Sequence, residues 1–387
     1  MASPPKPLPL SACMSLDDLA EVAASKLSPR AAAYYHSGAE TLFTRNRNRA
    51  DWARIGFRPR VLLDVAATPN MRANIMGFDS SLPVFIAPAA SAGLGHPDGE
   101  LCLSRGAGRM DIAQCVCTYA SVAPKSIMAD FKTDAQRRGG TLFFQLYVPK
   151  VKKNAAKLIA MAKENGFEAL VITVDSPVIG KRDDDDRFRA LDKRKPGDDE
   201  PPFELPDLPG KEPGTLRGSH NPSFTWSDLQ WIRELWGDEK PIIIKGISTA
   251  EDALEATRVP GVRIDGIYLS NHGGRQLDYA PTAVQALLDI RARAPEVFAK
   301  TAVYVDGGIM RGTDVVKALC LGARGVGIGR GFLYSLSAFG TNGVLKAIKI
   351  LSEEIQTTLR LLGVSDIAEL DERHLNLTEF GITRPRL

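Results

Sequence analysis

Six stretches of the 387-residue sequence end on side chains able to move protons or hold anions: Gln145-Leu146-Tyr147, Thr173-Val174-Asp175, Lys245-Gly246, Ser270-Asn271-His272-Gly273-Gly274-Arg275, Asp306-Gly307-Gly308 and Gly329-Arg330. His272 and Arg275 put a titratable base and a fixed cation on one short loop, which suits proton removal from a substrate whose carboxylate the guanidinium holds. Asp175 is the candidate to orient His272 and to stabilise its imidazolium form. Lys245 is the candidate to hold negative charge that develops on a cofactor ring. The glycines after Asp306 and before Arg330 let backbone N–H groups approach an anion, and Arg330 adds a fork of donors, so this pair predicts a phosphorylated ligand. Asp306 only accepts hydrogen bonds and is expected to face a ribose or ribityl hydroxyl. Any one of these residues alone reads equally well as a satisfied structural group. Six ends converging on the same chemistry do not, because buried ionisable groups are costly without partners or a ligand.

Strands must position them. From about residue 83 short apolar or β-branched runs alternate with amphipathic segments of about 10–15 residues, the pattern of βα units around a parallel sheet. The expected strands are Pro83–Pro88, Ile112–Thr118, Leu142–Val148, Ala169–Val174, Pro241–Lys245, Gly266–Ser270, Ala302–Asp306 and Gly325–Ile328. Eight strands in strict alternation predict an α/β fold of the (β/α)8 barrel type, in which reactive groups sit at the C-terminal strand ends. Between them, Val151, Ala155, Leu158, Ile159 and Ala162 form the apolar stripe of a helix stopped by Asn165-Gly166. Ser248-x-x-Glu251 is expected to cap a second helix, Pro281 to open a third, and Thr313-Asp314 to open a fourth that Gly322 closes. Ahead of the barrel, Ser15-Leu16-Asp17-Asp18 predicts a capping box, with Leu16, Leu19, Val22 and Ala23 at helical spacing behind it and Gly38 as the helical stop.

One interval breaks the alternation. About 183–224 carries Asp183-Asp184-Asp185-Asp186, Lys193-Arg194-Lys195-Pro196-Gly197 and further prolines, which predicts a long mobile loop on the active-site face. After 330 a terminal pair of helices is expected. The whole chain, 1–387, then reads as one domain: an N-terminal helical extension over 1–82, the barrel over 83–330, and C-terminal helices and tail over 331–387.

Composition narrows the function classes. With 44% hydrophobic and 25% charged residues, 34 Gly and 25 Pro, the chain is neither disordered nor collagen-like. Lys and Arg number 49 against 46 Asp and Glu, a net of +3 with no long basic run, so nucleic acid is not an expected partner. Cys13, Cys102, Cys115, Cys117 and Cys320 lack Cys-x-x-Cys spacing and predict reduced thiols in an intracellular compartment. No metal site is assigned. No apolar stretch reaches the roughly 20 residues that span a bilayer, and Pro4, Pro5, Pro7 and Pro9 interrupt any signal-like run, so no membrane association is expected. The ending Pro385-Arg386-Leu387 resembles a small-basic-Leu peroxisomal address except at its first position, leaving peroxisome or cytoplasm as the expected location.

Ser270-Asn271-His272-Gly273-Gly274-Arg275-Gln276-Leu277-Asp278 resembles the signature of the FMN-dependent L-2-hydroxy-acid oxidases and dehydrogenases, the glycolate oxidase and flavocytochrome lactate dehydrogenase family. The resemblance extends from Tyr34-Tyr35 and Phe57-Arg58-Pro59-Arg60 through Gln145-Leu146-Tyr147 to Lys317-Ala318-Leu319-Cys320. Residues 341–370 look closest to the lactate dehydrogenase flavocytochromes, and no haem-binding domain is expected ahead of the barrel.

The resemblance implies FMN as cofactor and oxidation of an L-2-hydroxy acid to the 2-oxo acid, with electrons passing to oxygen or a separate acceptor. It implies His272 as base backed by Asp175, Arg275 and Arg182 on the substrate carboxylate with Tyr34 beside them, and Tyr147 on the substrate's 2-oxygen. Lys245 would lie at the flavin N1–C2 edge. Gln145, Thr173 and Ser270 would hold the ring and ribityl chain, Pro88, Ala89 and Ala90 would lie beside the ring, and Asp306, Gly307, Gly308, Gly329 and Arg330 would take the ribityl phosphate. A homotetramer is also implied.

Three departures stand out. Met310 occupies a position where the family usually has a phosphate-binding Arg. Cys117 replaces a flavin-facing hydroxyl residue, with Tyr119 in place of a bulky Trp near the substrate. Gly331 replaces a Pro. The altered wall leaves a second reading open, a biosynthetic tailoring dehydrogenase acting on a carboxylated amine or heterocycle at the same FMN site. Met310 motivates a third, a non-catalytic flavin-binding protein.

Overall fold

Strand pairing in the computed structural model, which describes residues 7–192 and 219–382, closes on itself. The strands are β1 (Val84–Ile86), β2 (Ala113–Val116), β3 (Thr141–Tyr147), β4 (Leu170–Thr173), β5 (Ile242–Ile247), β6 (Gly266–Leu269), β7 (Ala302–Val305) and β8 (Gly325–Ile328). All neighbours are parallel, and β8 returns to β1 with Val326 opposite Val84. This is the (β/α)8 barrel that the alternation predicts. Helices Glu100–Arg109, Pro124–Thr133, Lys152–Asn165, Leu229–Trp236, Ala250–Ala256, Ala283–Arg293, Gly312–Cys320 and Arg330–Leu362 surround it.

Side chains alternate along a strand, so each strand contributes separately to the interior and to the helix-facing shell. Phe85, Cys115, Phe143, Val171, Ile243, Tyr268 and Tyr304 fill the interior, while Ile86, Phe144, Ile172, Ile244, Leu269 and Val305 belong to the larger core under the helices. Two residues beyond the interior layer stand Ala87, Cys117, Gln145, Thr173, Lys245, Ser270 and Asp306. The same parity that packs the barrel therefore delivers a polar layer to its C-terminal mouth. The opposite end is closed by a hairpin, Ala73–Ile75 with Phe78–Ser80, whose Met76 N–H donates to Tyr304 Oη at 2.8 Å.

The extension over 1–82 is only partly helical. The expected capping box at Ser15–Asp18 forms and opens helix Leu16–Ala24, but the helical stretch then breaks and restarts at Pro29–His36, capped by the Ser28 hydroxyl. Gly38 is not the stop: the helix ends at His36, and a Cβ on Gly38 would lie 2.9 Å from the Gly274 carbonyl oxygen, so close approach to the signature loop requires glycine there. A third helix, Phe43–Ala53, follows, and Gly56–Phe57 pairs with Leu375–Asn376.

Other local expectations shift. The cap of Ala250–Ala256 is Thr249, accepting from Asp252 N–H, rather than Ser248 with Glu251. Thr282 forms a capping box with Gln285, which leaves Pro281 ahead of its helix with its carbonyl accepting from Asn271 Nδ2. Val151 caps rather than joins the stripe of its helix and is 56% exposed. The four aspartates expected in a mobile loop instead open helix Asp183–Asp192, where they complement the positive helix N-terminus and pair through Asp184–Arg187 and Asp185–Arg189. The Lys193-to-Gly197 run lies outside the described residues. The terminal pair of helices is present as Arg330–Leu362, interrupted by non-helical Phe339 and Gly340.

Gly308 shows how tightly the extension docks. Its φ is +77°, and a Cβ there would stand 2.3 Å from the Asn48 carbonyl carbon on helix Phe43–Ala53. Gly308→Ala is expected to lower the unfolding free energy in urea by at least about 2 kcal/mol, combining the left-handed penalty with the clash. Unchanged stability would show that this helix is not seated on the barrel mouth.

Candidate active site

The polar layer opens into a cavity of about 660 Å³ lined by Pro88, Ala89, Lys245, His272, Asp306, Gly307, Gly308, Gly329 and Arg330 among others. Its centre is a charge cluster. Lys245 is buried, its Nζ 3.6 Å from Asp175 Oδ2 and 3.9 Å from Asp306 Oδ2, and it donates to Ser270 Oγ at 3.0 Å. Ser270 in turn donates to Asp306 Oδ1 at 2.7 Å and accepts from His272 N–H. Burial alone would depress the Lys245 pKa, but Asp175 and Asp306 outweigh it and hold the ammonium charged. Burial would raise Asp175; the adjoining His272 ring, when protonated, the charge of Lys245, and the hydrogen bonds from His272 and Ser176 pull it well below the usual carboxylate range instead.

His272 occupies the left-handed region, with φ +60°. Its Nδ1 lies 2.8 Å from Asp175 Oδ1. An ionised carboxylate only accepts, so Nδ1 carries the proton and Nε2 presents a lone pair. Nε2 is 3.1 Å from Tyr147 Oη, which donates to it. Burial lowers the His272 pKa below its ordinary value, with Asp175 opposing and Lys245 adding to the depression, so the ring is neutral at neutral pH. Burial also pushes the Tyr147 phenol up, which keeps its proton.

Two guanidiniums border this base. Arg275 donates from Nη1 to the Tyr34 carbonyl, the Ser37 carbonyl and Ser37 Oγ, and its Cζ stacks 4.7 Å from the Tyr34 ring centroid. Its Nη2 is buried with no hydrogen-bond partner among the described residues. Arg182 donates from Nε to the Arg275 carbonyl at 3.1 Å, and burial with the Arg275 charge pulls its pKa down to about 10. An unpaired buried N–H beside a second cation is a ready seat for a carboxylate.

The structure thus brings together His272, Asp175, Tyr147, Lys245, Arg182, Arg275 and Tyr34 as expected from sequence. Gln145 donates to Thr173 Oγ1 at 2.9 Å, fixing both on the barrel wall. Cys117 is buried, its thiol pushed up to about 12 by burial, so it acts as a small neutral wall group. Ala90 lies outside the cavity lining that contains Pro88 and Ala89. Tyr119 is 45% exposed at the rim.

Sequence reasoning missed three residues. Ser176 Oγ donates to Asp175 Oδ1 at 2.7 Å. His220 stacks on Tyr147, with ring centroids 4.3 Å apart and planes 7° apart. Its Nδ1 lies 2.7 Å from the Ser176 carbonyl, which only accepts, so Nδ1–H donates and Nε2 takes the Tyr119 O–H at 3.2 Å. Tyr119 and His220 are 5.8 Å apart while both stack on Tyr147. Rings on opposite faces of a third would stand about 7 Å apart, twice the contact spacing, so the pair tiles a single face of Tyr147. The third is Arg45, which lines the cavity from helix Phe43–Ala53. Only the Pro-rich setting of Ser219-His220-Asn221-Pro222 marked the second, and nothing in the spacing marked the third.

The backbone at Gly307, Gly308 and Gly329, the Arg330 guanidinium and the buried Lys245 ammonium line one cavity and could hold a flavin mononucleotide by its phosphate and its ring. Comparison with known proteins agrees. The model of the FMN-dependent dehydrogenases matches residues 23–377, and the chain belongs to that family. It is 39% identical to an L-lactate dehydrogenase (cytochrome) of Wickerhamomyces anomalus over 94% of this chain and 61% of that protein, so it spans about three fifths of that relative. It is 37% identical to glycolate oxidase 3 of Arabidopsis thaliana over 92% of this chain and 94% of that one. Its fold superposes on the recombinant flavin-binding domain of baker's yeast flavocytochrome b2 with a TM-score of 0.85 at 34% identity, covering 98% and 91% of the two chains. No helix among the described residues is long and apolar enough to cross a membrane.

The charges around His272 set a measurable titration. In spectra of protein labelled at its five histidines with 15N, His272 is expected to titrate below the ordinary value of about 6.5. Asp175→Asn removes the charge that raises it, so its midpoint should fall further. A rise in that variant would show that Asp175 does not face the ring as an anion.

Proposed function

We propose that the chain oxidises an L-2-hydroxy acid to the 2-oxo acid with FMN, and that residues 1–387 work as one unit: the 1–82 extension supplying Tyr34, the barrel over 83–330, and the helices and tail over 331–387. The observation that carries the proposal is the lone pair of His272 Nε2, directed at Tyr147 Oη within the field of Arg182, which in turn bonds the Arg275 carbonyl. When bound, FMN supplies an acceptor for the electron pair of the substrate's C–H bond.

The protein's own residues do the rest. Arg275 and Arg182 clamp the carboxylate, and Tyr34 shields that end by stacking on Arg275. The substrate's 2-oxygen replaces His272 as the partner of Tyr147. His272 Nε2 takes one proton, the second leaving in net with the electron pair, and Asp175 stabilises the imidazolium that forms. Lys245, held charged by Asp175 and Asp306, meets negative charge at the flavin edge. Gln145, Thr173 and Ser270 orient the ring and ribityl chain. Oxygen or a separate acceptor would take up the electron pair.

Anaerobic bleaching of protein-bound FMN by a panel of L-2-hydroxy acids tests this directly. His272→Asn, chosen because Asn tolerates a positive φ, should keep its FMN and bleach about 10²–10⁴-fold more slowly. In the parent, kcat/KM should decline on acidification only below pH of about 6.5, because the base must be neutral and its pKa is depressed. Bleaching by no 2-hydroxy acid, or a near-parental rate in His272→Asn, would remove the assignment.

A further inference from the structure

The phosphate end of the cavity carries more positive charge than its carboxylates balance. Four cationic or titratable groups line it there, Arg45, Arg49, Arg330 and His36, with Asp17 and Asp306 as its acids. Asp17 is occupied: it holds Arg49 in a bidentate pair at 2.8 and 2.6 Å. Asp306 is occupied by Ser270 and Lys245. Arg311, the neighbour of Met310, is turned away to Glu354 at 2.7 Å and does not line the cavity. Arg330 donates to the Gly273 carbonyl, and neither it nor half-buried Arg45 has a carboxylate within ion-pair distance among the described residues. Burial, with the charges of Arg45 and Arg182 adding to it, pulls the Arg330 pKa down to about 10 against the opposing effects of Tyr334 and Asp306. The charges of Arg45 and Arg330 also depress His36, after burial.

Two like charges directed into one concavity without a counter-charge are unfavourable unless an anion joins them. A phosphate monoester carries about −1.5 to −2 at neutral pH and suits two guanidinium forks. Arg45 is not placed there by chance flexibility. Its helix starts on Asp278, whose Oδ1 accepts from Thr44 N–H at 2.8 Å and whose Oδ2 accepts from Thr41 Oγ1 at 2.7 Å. Its backbone abuts Gly274, where a Cβ would lie 2.4 Å from Arg45 N. The same loop that carries His272 and Arg275 therefore fixes the root of the Arg45 side chain.

We propose that Arg45 is a phosphate-binding residue of this chain, acting with Arg330 and supplying from the N-terminal extension the charge that Met310 does not. The inference rests on the flavin reading of the cavity and adds to it a residue from outside the barrel. It also accounts for an uncharged side chain at 310: beside Arg45 and Arg330, a further guanidinium without a carboxylate partner at that end would add repulsion.

The test separates phosphate from ring. The full-length chain is equilibrated by dialysis against graded FMN or riboflavin, which lacks the phosphate, and bound flavin is read by absorbance. The parent should bind FMN well above riboflavin. Arg45→Ala should weaken FMN tenfold to a hundredfold, about one charge-assisted bond, while riboflavin changes by less than twofold. Arg45→Lys should recover part of the loss, and Met310→Arg added to Arg45→Ala should restore FMN binding. The proposal is overturned if FMN binding in Arg45→Ala stays within twofold of the parent, or if riboflavin weakens in parallel, which would make Arg45 a structural support. A parent that binds FMN no better than riboflavin would overturn the phosphate assignment of the cavity itself, a result distinct from an Arg45 variant that behaves like a binding-competent parent.

Discussion

An ammonium buried at the mouth of a barrel has to be neutralised where it stands, and Lys245 imposes that requirement on everything around it. Two carboxylates meet it, Asp175 at 3.6 Å and Asp306 at 3.9 Å. Neither is dedicated to the lysine: Asp175 also fixes the tautomer of His272, and Asp306 also takes the hydroxyl of Ser270. A lone buried ion of this kind costs several kcal/mol, so the lysine and both acids stand or fall together. The orientation of the base is thus a consequence of charge balance one strand away. Removing Asp175 would leave Lys245 with a single acid partner as well as freeing the imidazole, so its loss acts on the ring end of the cavity and on the base at once.

Strand parity explains why so much of this was legible from sequence. An interior residue at position i predicts a mouth residue at i+2, and Phe143 with Gln145, Val171 with Thr173, Ile243 with Lys245 and Tyr304 with Asp306 all obey it. The alternation of apolar runs located the strands, and the polar residues that ended those runs were the site. What stayed hidden were relations that no local pattern encodes. Thr249 rather than Ser248 caps its helix because the choice depends on where the strand before it stops. His220 meets Tyr147 across a gap of dozens of residues, from a stretch whose composition suggested only solvent exposure. The aspartate run became a helix start because its charges complement the helix N-terminus, an effect composition alone does not reveal.

The extension is a structural wall of the site, joined to the barrel by bonds that local sequence could not announce. Trp52 donates from its indole to the Gly307 carbonyl at 2.9 Å, and Lys317 donates to the Trp52 backbone carbonyl at 2.8 Å, so this one residue connects Gly307 to helix Gly312–Cys320. Asn48 and Asn271 exchange side-chain hydrogen bonds at 2.9 and 2.7 Å, tying helix Phe43–Ala53 to the residue before His272. Tyr34 and Ser37 hold Nη1 of Arg275, while its Nη2 has no hydrogen-bond partner among the described residues. The proposed carboxylate seat and the docking of the extension therefore draw on the same side chain.

His272 itself sits in a backbone region that non-glycine residues seldom adopt, followed by Gly273 and Gly274 at φ +63° and +75°. Three consecutive positive φ values turn the chain sharply, and that turn is what directs the ring back over the mouth. Conformations of this type cost of order 1–3 kcal/mol at a non-glycine position. Here the turn is held by His272 N–H on Ser270 Oγ, by Gly274 N–H on the Asn271 backbone and side-chain oxygens, and by the asparagine pair to helix Phe43–Ala53. Those bonds are made within the chain itself, so the strain of the turn is met by the fold and the orientation of the ring is preorganised.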